Sequence, residues 1–388
     1  MNKKEVKKAP TLRFKGFTND WEQRKLKEVV NINPSTNVPN TFNYVDLNSV
    51  KGVSLIKVKK INKKEAPSRA QRVAKNGDIF YQMVRPYQKN NYLFNKPKTS
   101  FPYVFSTGYA QLRSIKTSPS YIFPLLQKSD FVNKVLAHST GTSYPAINSR
   151  DLGQIKIYLP NELVEQNKIG EIFQKINKII ELQQRKLKLL KVMKKALSQY
   201  MFCQETEFVP ILRFNSFSDK WKYERLKKLI VKEIKGKAKA DMKGTKSTYI
   251  DTALLNGGSI TKVDSPTDTF HNDIIILWDG SQAGKIYHGF TGALGSTLKS
   301  YKPKYSGGFL YQYLKSKEPI IFLRYRTPNI PHVIKDFTEI FKINVPSVKE
   351  QEKISKTLNY LDQRILVETK KIGSIKKIKK FLLQNMFI

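Results

Sequence analysis

The feature that most constrains this chain is a repeat within it. Residues 12–30 recur as residues 212–230 with seven identities in nineteen positions, and residues 165–202 recur as 350–387 with 13 identities in 38. A period close to 200 residues is far longer than that of any solenoid, so the chain reads as two similar halves, not as a stacked array. The first echo sets Leu12-Arg13-Phe14, Phe17, Trp21 and Leu26 against Leu212-Arg213-Phe214, Phe217, Trp221 and Leu226. A weaker echo sets Asn76-Gly77-Asp78-Ile79 against His271-Asn272-Asp273-Ile274, each a turn entering a β-prone run. Order is kept while the offset shrinks, as expected if the stretch between fixed pieces varies in length. A chain of 388 residues has room for two or three domains of this kind.

The third repeated piece reads as a long helix in each half. Ile169, Phe173, Ile176, Ile180, Leu187 and Leu190 follow alternating steps of four and three, and Ile354, Leu358, Leu361, Ile365, Ile372 and Ile375 do the same. Both copies put a polar residue, Gln183 or Glu368, at the missing core step. That pattern is a coiled-coil seam. Each helix follows a proline, Pro160 or Pro346, and Ser347 with Glu350 has the spacing of a capping box. Residues 171–202 lack Pro and Gly, so the first helix can run unbroken for about 57 Å at roughly 1.5 Å per residue, while Gly373 is a weak point in the second. A narrow apolar seam must be buried against another helix, and the chain supplies one matched partner, so antiparallel pairing is expected, with a domain at either end of a rod. The alternative is that each helix packs on its own domain.

Charge points to the partner. Lys and Arg number 70 against 31 Asp and Glu, a net charge of +39 with a pI near 10.0. Of the basic residues 57 are Lys and 13 Arg, as an A·T-rich genome would favour, but codon drift does not explain the scarcity of acids. A polyanion, nucleic acid before a membrane surface, is the expected ligand. The longest unbroken run of aliphatic and aromatic residues is Ile274 to Trp278, too short to cross a membrane, and basic Met1 to Pro10 is not followed by the apolar core of a secretory signal. With Cys203 as the single cysteine, no intrachain disulfide can form, and a cytoplasmic location is expected.

Residues 31–156 and 231–341 carry short β-prone runs broken by Gly, Pro, Asn and Ser, the pattern of α+β domains, with net charges of +14 and +6. The chain therefore divides into domains at 1–160 and 206–345 and helices at 161–205 and 346–388. In the first domain, Lys57, Lys59, Lys60, Lys63, Lys64, Arg69 and Arg72 crowd into sixteen residues, and Arg85-Pro86-Tyr87 follows an apolar run. Clustered cations suit phosphates, whereas base edges need planar donors, so Arg69, Arg85, Gln88, Asn90 and Asn91 are better candidates for specificity, with Lys89 between them. In the second domain, Gly280-Ser281-Gln282-Ala283-Gly284-Lys285 has three residues between its glycines and Ile286 after the lysine, so it is not a phosphate-binding P-loop. A glycine-rich turn touching a DNA backbone fits better. Lys299, Lys302, Lys304, Arg324 and Arg326 add charge nearby.

Chemistry is hard to find. His138, His271, His288 and His332 are scattered, no Gly-x-Ser-x-Gly turn occurs, and neither a methyl-donor glycine loop nor an Asn-Pro-Pro-aromatic motif is present, Asn33-Pro34-Ser35-Thr36 being the nearest approach. No catalytic or metal-binding residue is assigned. The chain is expected to bind and position while another polypeptide reacts. A stand-alone site-specific nuclease or methyltransferase, and a basic coiled-coil scaffold, are the alternatives.

Arg13-Phe14-Lys15-Gly16-Phe17 with Trp21-Glu22, the run Thr140-Gly141-Thr142-Ser143-Tyr144-Pro145-Ala146-Ile147 with Asp151-Leu152 and Leu159-Pro160, and Glu165-Gln166, Lys168-Ile169 and Met201-Phe202 are together similar to the specificity subunit of type I restriction-modification systems. The second half is looser, because Arg326-Thr327-Pro328-Asn329-Ile330-Pro331 replaces the small-residue loop. The resemblance implies a noncatalytic DNA-reading subunit with two target recognition domains, each reading half of a bipartite site. It implies that the helices serve as a ruler and as the docking surface for two methyltransferase subunits, with restriction subunits joining that core. S-adenosylmethionine, ATP and magnesium would then belong to the partners, and Thr142, Tyr144 and Asn148 would lie near DNA. A rod of about 57 Å spans roughly 17 base pairs at 3.4 Å each, in keeping with separated half-sites.

Overall fold

The computed structural model describes residues 9–96, 101–204 and 207–388, which form two compact units. Met1–Arg185 with Lys370–Ile388 make up unit 1, and Lys186–Thr369 make up unit 2. Residues 1–8 of the basic leading segment, and the boundary expected at 205–206, lie outside the described residues.

Unit 1 contains strands β1 (Glu22–Lys25), β2 (Val30–Ile32), β3 (Thr41–Val45), β4 (Lys59–Asn62), β5 (Ala70–Val73), β6 (Ile79–Gln82), β7 (Tyr92–Leu93), β8 (Tyr103–Ser106), β9 (Tyr109–Ser114) and β10 (Lys156–Leu159). Helices α1 (Pro119–Leu125), α2 (Ser129–Ala137) and α3 (Ser149–Gln154) precede β10, and the long α4 (Leu163–Tyr200) follows it. One antiparallel sheet has the order β2-β9-β6-β7, a second has the order β4-β3-β8-β5, and β1 pairs with β10. All four residues of β6 are buried, so this strand is covered on both faces, which its unbroken apolar run anticipates.

Unit 2 repeats the plan with β11 (Lys222–Arg225), β12 (Ile230–Lys235), β13 (Lys243–Ile250), β14 (Lys262–Val263), β15 (Ile274–Leu277), β16 (Ile286–His288), β17 (Ala293–Leu294), β18 (Leu298–Pro303), α5 (Gly307–Ser316), α6 (Glu318–Arg324), β19 (Lys342–Val345) and α7 (Val348–Asn385). Its main sheet, β12-β18-β15-β16, has the strand order of the first sheet of unit 1, and β11 pairs with β19 as β1 does with β10. The other sheet has three strands, β14-β13-β17, in place of four. The two units therefore differ in the make-up of the second sheet.

The repeated residues turn out to be fasteners. Arg13 donates two hydrogen bonds to the Glu165 carboxylate at 2.7 and 2.9 Å, and Arg213 does the same to Glu350 at 2.8 and 2.9 Å. Both carboxylates are buried in the first turns of α4 and α7, where a negative charge also meets the positive helix end. Gln166 donates to the Pro160 carbonyl at 2.9 Å, and Gln351 to that of Pro346 at 3.0 Å. Only half of the capping box forms: Ser347 Oγ accepts from the Glu350 amide at 3.4 Å, but the Glu350 side chain is held by Arg213. Gly373 does not interrupt α7.

The seam residues face inward. In unit 1 Ile169, Phe173 and Ile372 are buried and Ile176, Ile180 and Ile375 half-buried; in unit 2 Ile354, Leu358 and Leu361 are buried and Leu187, Leu190 and Ile365 half-buried. Within unit 2, Lys186 pairs with Glu368 and Lys194 with Asp362, so numbers rise on one helix as they fall on the other. The helices form an antiparallel coiled coil. Glu368, at the missing core step, is 4% exposed and answered by Lys186, an arrangement that sets register more than stability.

Each unit is closed by the Met-Phe pair at the end of one long helix. In unit 1 the Phe387 ring lies 5.2 Å from Tyr121, 5.6 Å from Phe173 and 6.5 Å from Trp21. In unit 2 Phe202 lies 5.2 Å from Tyr313 and 5.9 Å from Phe309, which packs on Trp221. Truncating a buried Phe costs about 3–5 kcal/mol. Phe387→Ala is expected to accelerate amide exchange in β2, β6 and β9 and leave β12, β15 and β18 protected, and Phe202→Ala to do the reverse.

Candidate nucleic-acid interface

At the end of β6 the chain turns back through Arg85, whose φ of +54° lies in the left-handed region. A non-glycine residue there is strained by about 1–3 kcal/mol and needs neighbours that hold it. Its amide donates to the Pro145 carbonyl at 2.7 Å, and the Ile147 amide donates to the Met83 carbonyl at 3.1 Å, tying the strand end to the loop 140–146. Reciprocal Thr140–Ala146 bonds of 2.9 Å close that loop. The Arg85 guanidinium stacks on the Tyr144 ring at 4.1 Å, and Tyr144 is 62% exposed.

Unit 2 builds the same corner. Gly280, at φ +108°, donates to the Pro331 carbonyl at 2.8 Å, and the Val333 amide donates to the Trp278 carbonyl at 2.9 Å. The loop whose sequence looked divergent is thus the counterpart of 140–146, with Ile330-Pro331 standing where unit 1 has Tyr144-Pro145. Matching those two dipeptides at an offset of 186 would have exposed the equivalence in the sequence. Around this corner Gln282 accepts from Lys285 at 2.7 Å, Lys299 Nζ sits 3.3 Å above the Trp278 ring, and Arg326 stacks on Phe322 at 3.7 Å while donating to the Ser281 carbonyl at 3.3 Å. Two Arg326 nitrogens, Nε and Nη1, are buried without a partner. Burial in the sheet pushes the Lys299 ammonium below its ordinary range.

Other candidates stand apart. The cations that crowd the sequence at 57–72 divide between opposite edges of one sheet: Lys59 and Lys60 lie on β4 with exposed Lys57 just before it, whereas Arg72 lies on β5 with exposed Arg69 just before it. Three strand spacings, roughly 14 Å, separate those edges. Arg69 donates to the Tyr44 hydroxyl at 3.2 Å, Lys60 lies 3.6 Å over the Phe101 ring, and burial lowers the Arg72 pKa. Lys302 and Lys304 are at the far end of β18, beside Ile274 and Leu229, and not at the Gly280 corner. Arg324 ends α6, two residues before Arg326. Thr142 is exposed at the 140–146 loop, but Asn148 spends its side chain capping α3, accepting from the Asp151 amide at 2.8 Å and donating to the Asp151 carboxylate at 2.7 Å.

Lys89, Gln88 and Asn90 reach a cleft of about 830 Å³ in unit 1 that the sequence reading missed. Lys89, also at positive φ, donates to the Gln127 carbonyl at 2.9 Å and to Ser129 Oγ at 3.1 Å, and Asn90 accepts from the Gly52 amide at 2.8 Å. The opposite wall carries Lys376, Lys379 and Lys380 of α7. Burial, reinforced by Lys376 and Lys89, lowers the Lys379 pKa to about 8. The signal in the sequence is the cluster Lys376, Lys377, Lys379 and Lys380 near the end of the second long helix. Among the described residues no group of three His, Cys, Asp or Glu side chains could hold a metal, and no helix is long and apolar enough to cross a membrane.

Comparison with known proteins follows the same repeat. The family model described as the type I restriction modification DNA specificity domain matches residues 18–192 and again 218–377. The chain is 34% identical over 168 residues to the MjaVIII specificity subunit of Methanocaldococcus jannaschii, a type I restriction enzyme component, covering 40% of each chain. It is 23% identical over 245 residues to the HindI specificity subunit of Haemophilus influenzae, covering 60% of this chain and 51% of that one. The chain thus spans about half or less of these relatives' lengths. The crystal structure of a type I restriction-modification S subunit from M. genitalium superimposes with a TM-score of 0.72 at 16% identity, covering 98% of this chain and 99% of that one, a likeness of fold.

Two outcomes are expected. If the Gly280 corner and not the far end of its sheet meets phosphates, Lys285→Gln lowers the slope of log affinity for duplex DNA against log salt by about 0.9, and Lys302→Gln with Lys304→Gln leaves it unchanged. The folded-state pKa of Lys379 lies below its unfolded value, so unit 1 gains stability as pH rises through about 8 toward the unfolded range. Lys379→Met should abolish that gain and stabilise unit 1 at pH 7 by about 1–2 kcal/mol after allowance for solvent screening, read as a higher urea midpoint.

Proposed function

The chain belongs to the type I restriction-modification DNA specificity family, and on that premise we propose that it is the noncatalytic subunit that selects the DNA site on which partner subunits act. Each unit reads one half of a bipartite site, and adenine methylation or restriction follows at the site so chosen. The observation that carries this reading is the strand-end corner built twice, once per unit, with a guanidinium and an exposed tip at each, in a chain of net charge +39. Two unlike corners suit two unlike half-sites.

In this reading Arg85, Gln88 and Arg326 are the candidates for base edges, since planar donors distinguish bases where ammonium groups do not. Lys57, Lys59, Lys60, Lys89, Lys285 and Lys299 serve the phosphates and fix orientation. Two methyltransferase subunits dock on the helices and bind S-adenosylmethionine. Restriction subunits supply ATP- and magnesium-dependent cleavage. The complex works in the cytoplasm.

Mapping of N6-methyladenine in host DNA, with the gene intact and deleted, tests the reading. A split motif that disappears on deletion is expected, and exchange of residues 31–156 for those of another family member should change one half of that motif. A change in both halves, or in neither, would sink the modular assignment.

A further inference from the structure

The two units differ in their second sheet and in the sequence of the loop at the corner, yet one element is common to both. A large apolar side chain stands at the loop tip directly before a proline: Tyr144 before Pro145, 62% exposed, and Ile330 before Pro331, 79% exposed. Proline fixes its own φ and restricts the residue before it to extended backbone, so the tip is stiff. Each proline carbonyl is then held by the strand-end amide of Arg85 or Gly280. Such construction aims an apolar side chain at water, where it contributes nothing to the core.

We infer that Tyr144 and Ile330 are wedges, each entering the base stack of the half-site that its unit reads and opening one base step. This deepens the proposed function and rests on it. Domains that read different half-sites cannot share base-reading side chains, but they can share a device indifferent to sequence. Stacking on a base face is such a device, and Ile is among the side chains that part base steps in bent DNA. The surroundings fit a polyanion, with Arg85 against one tip and Arg326, bridged to Val333, at the base of the loop that carries the other. In unit 1 the guanidinium covers one face of the Tyr144 ring, which leaves the other for a base.

The test uses the full chain in complex with its methyltransferase subunits and duplexes carrying the mapped site, with 2-aminopurine placed at successive positions of each half. Binding is followed separately by fluorescence anisotropy. Wild type should raise 2-aminopurine emission about fivefold or more at one step in each half-site. Tyr144→Ala should remove the rise in the half read by unit 1 alone, Tyr144→Phe should keep it, and Ile330→Ala should remove it in the other half, each read at a protein concentration at which anisotropy shows the duplex fully bound. An unchanged rise in both alanine variants overturns the wedge, as does loss of the methyltransferase subunits from the complex, which would make the tips protein-docking residues. Failure of wild type to prefer the mapped duplex would instead refute the DNA-reading function itself.

Discussion

The core of each unit is completed by two residues that arrive along a long helix. Without Phe387 the rings of Trp21, Tyr121 and Phe173 lose their common neighbour, and without Phe202 the same holds for Phe309 and Tyr313. The other ends of α4 and α7 are held by Arg13–Glu165 and Arg213–Glu350. Buried ion pairs of this kind contribute more to register than to stability, whereas buried aromatic rings contribute several kcal/mol each. Fixed at both ends, the helices need only a modest seam between, which agrees with the half-buried Ile176, Ile180, Leu187 and Leu190.

That division of labour explains what the sequence disclosed. The long helices and their antiparallel pairing were legible because a seven-residue pattern admits few packings and the chain holds two matched copies. Arg13, Trp21, Glu165 and the Met-Phe pairs announced themselves by recurring, although recurrence alone did not say that they touch. The sheets were legible only as α+β content, since strand order depends on contacts between runs that look alike.

The candidate interface was partly legible for a similar reason. Arg85 was recognised by residue type and Tyr144 through the family resemblance, but their stacking depends on a positive φ that nothing in a sequence marks when the residue is not glycine. Unit 2 places Gly280 at that point, where the conformation carries no steric cost. Unit 1 keeps an arginine there against the strain, which favours a role for its side chain. Conversely, Lys302 and Lys304 looked close to the corner because they are near it in number. An antiparallel strand carries them to its other end.

The division into units also orders events in time. Unit 2 is a continuous stretch, Lys186–Thr369, whereas unit 1 is assembled from both sides of it. A ribosome adding roughly 5–20 residues per second needs about 10–40 s to travel from the end of the first stretch of unit 1 to Met386 and Phe387. During that interval the pocket around Trp21 and Tyr121 has no plug, and unit 2 closes on Phe202 late in it, once Phe309 and Tyr313 have been made and shortly before Phe387 follows. The half that is written second is the half that folds first, and the nascent first half must wait, open and apolar, for the chain to come back to it.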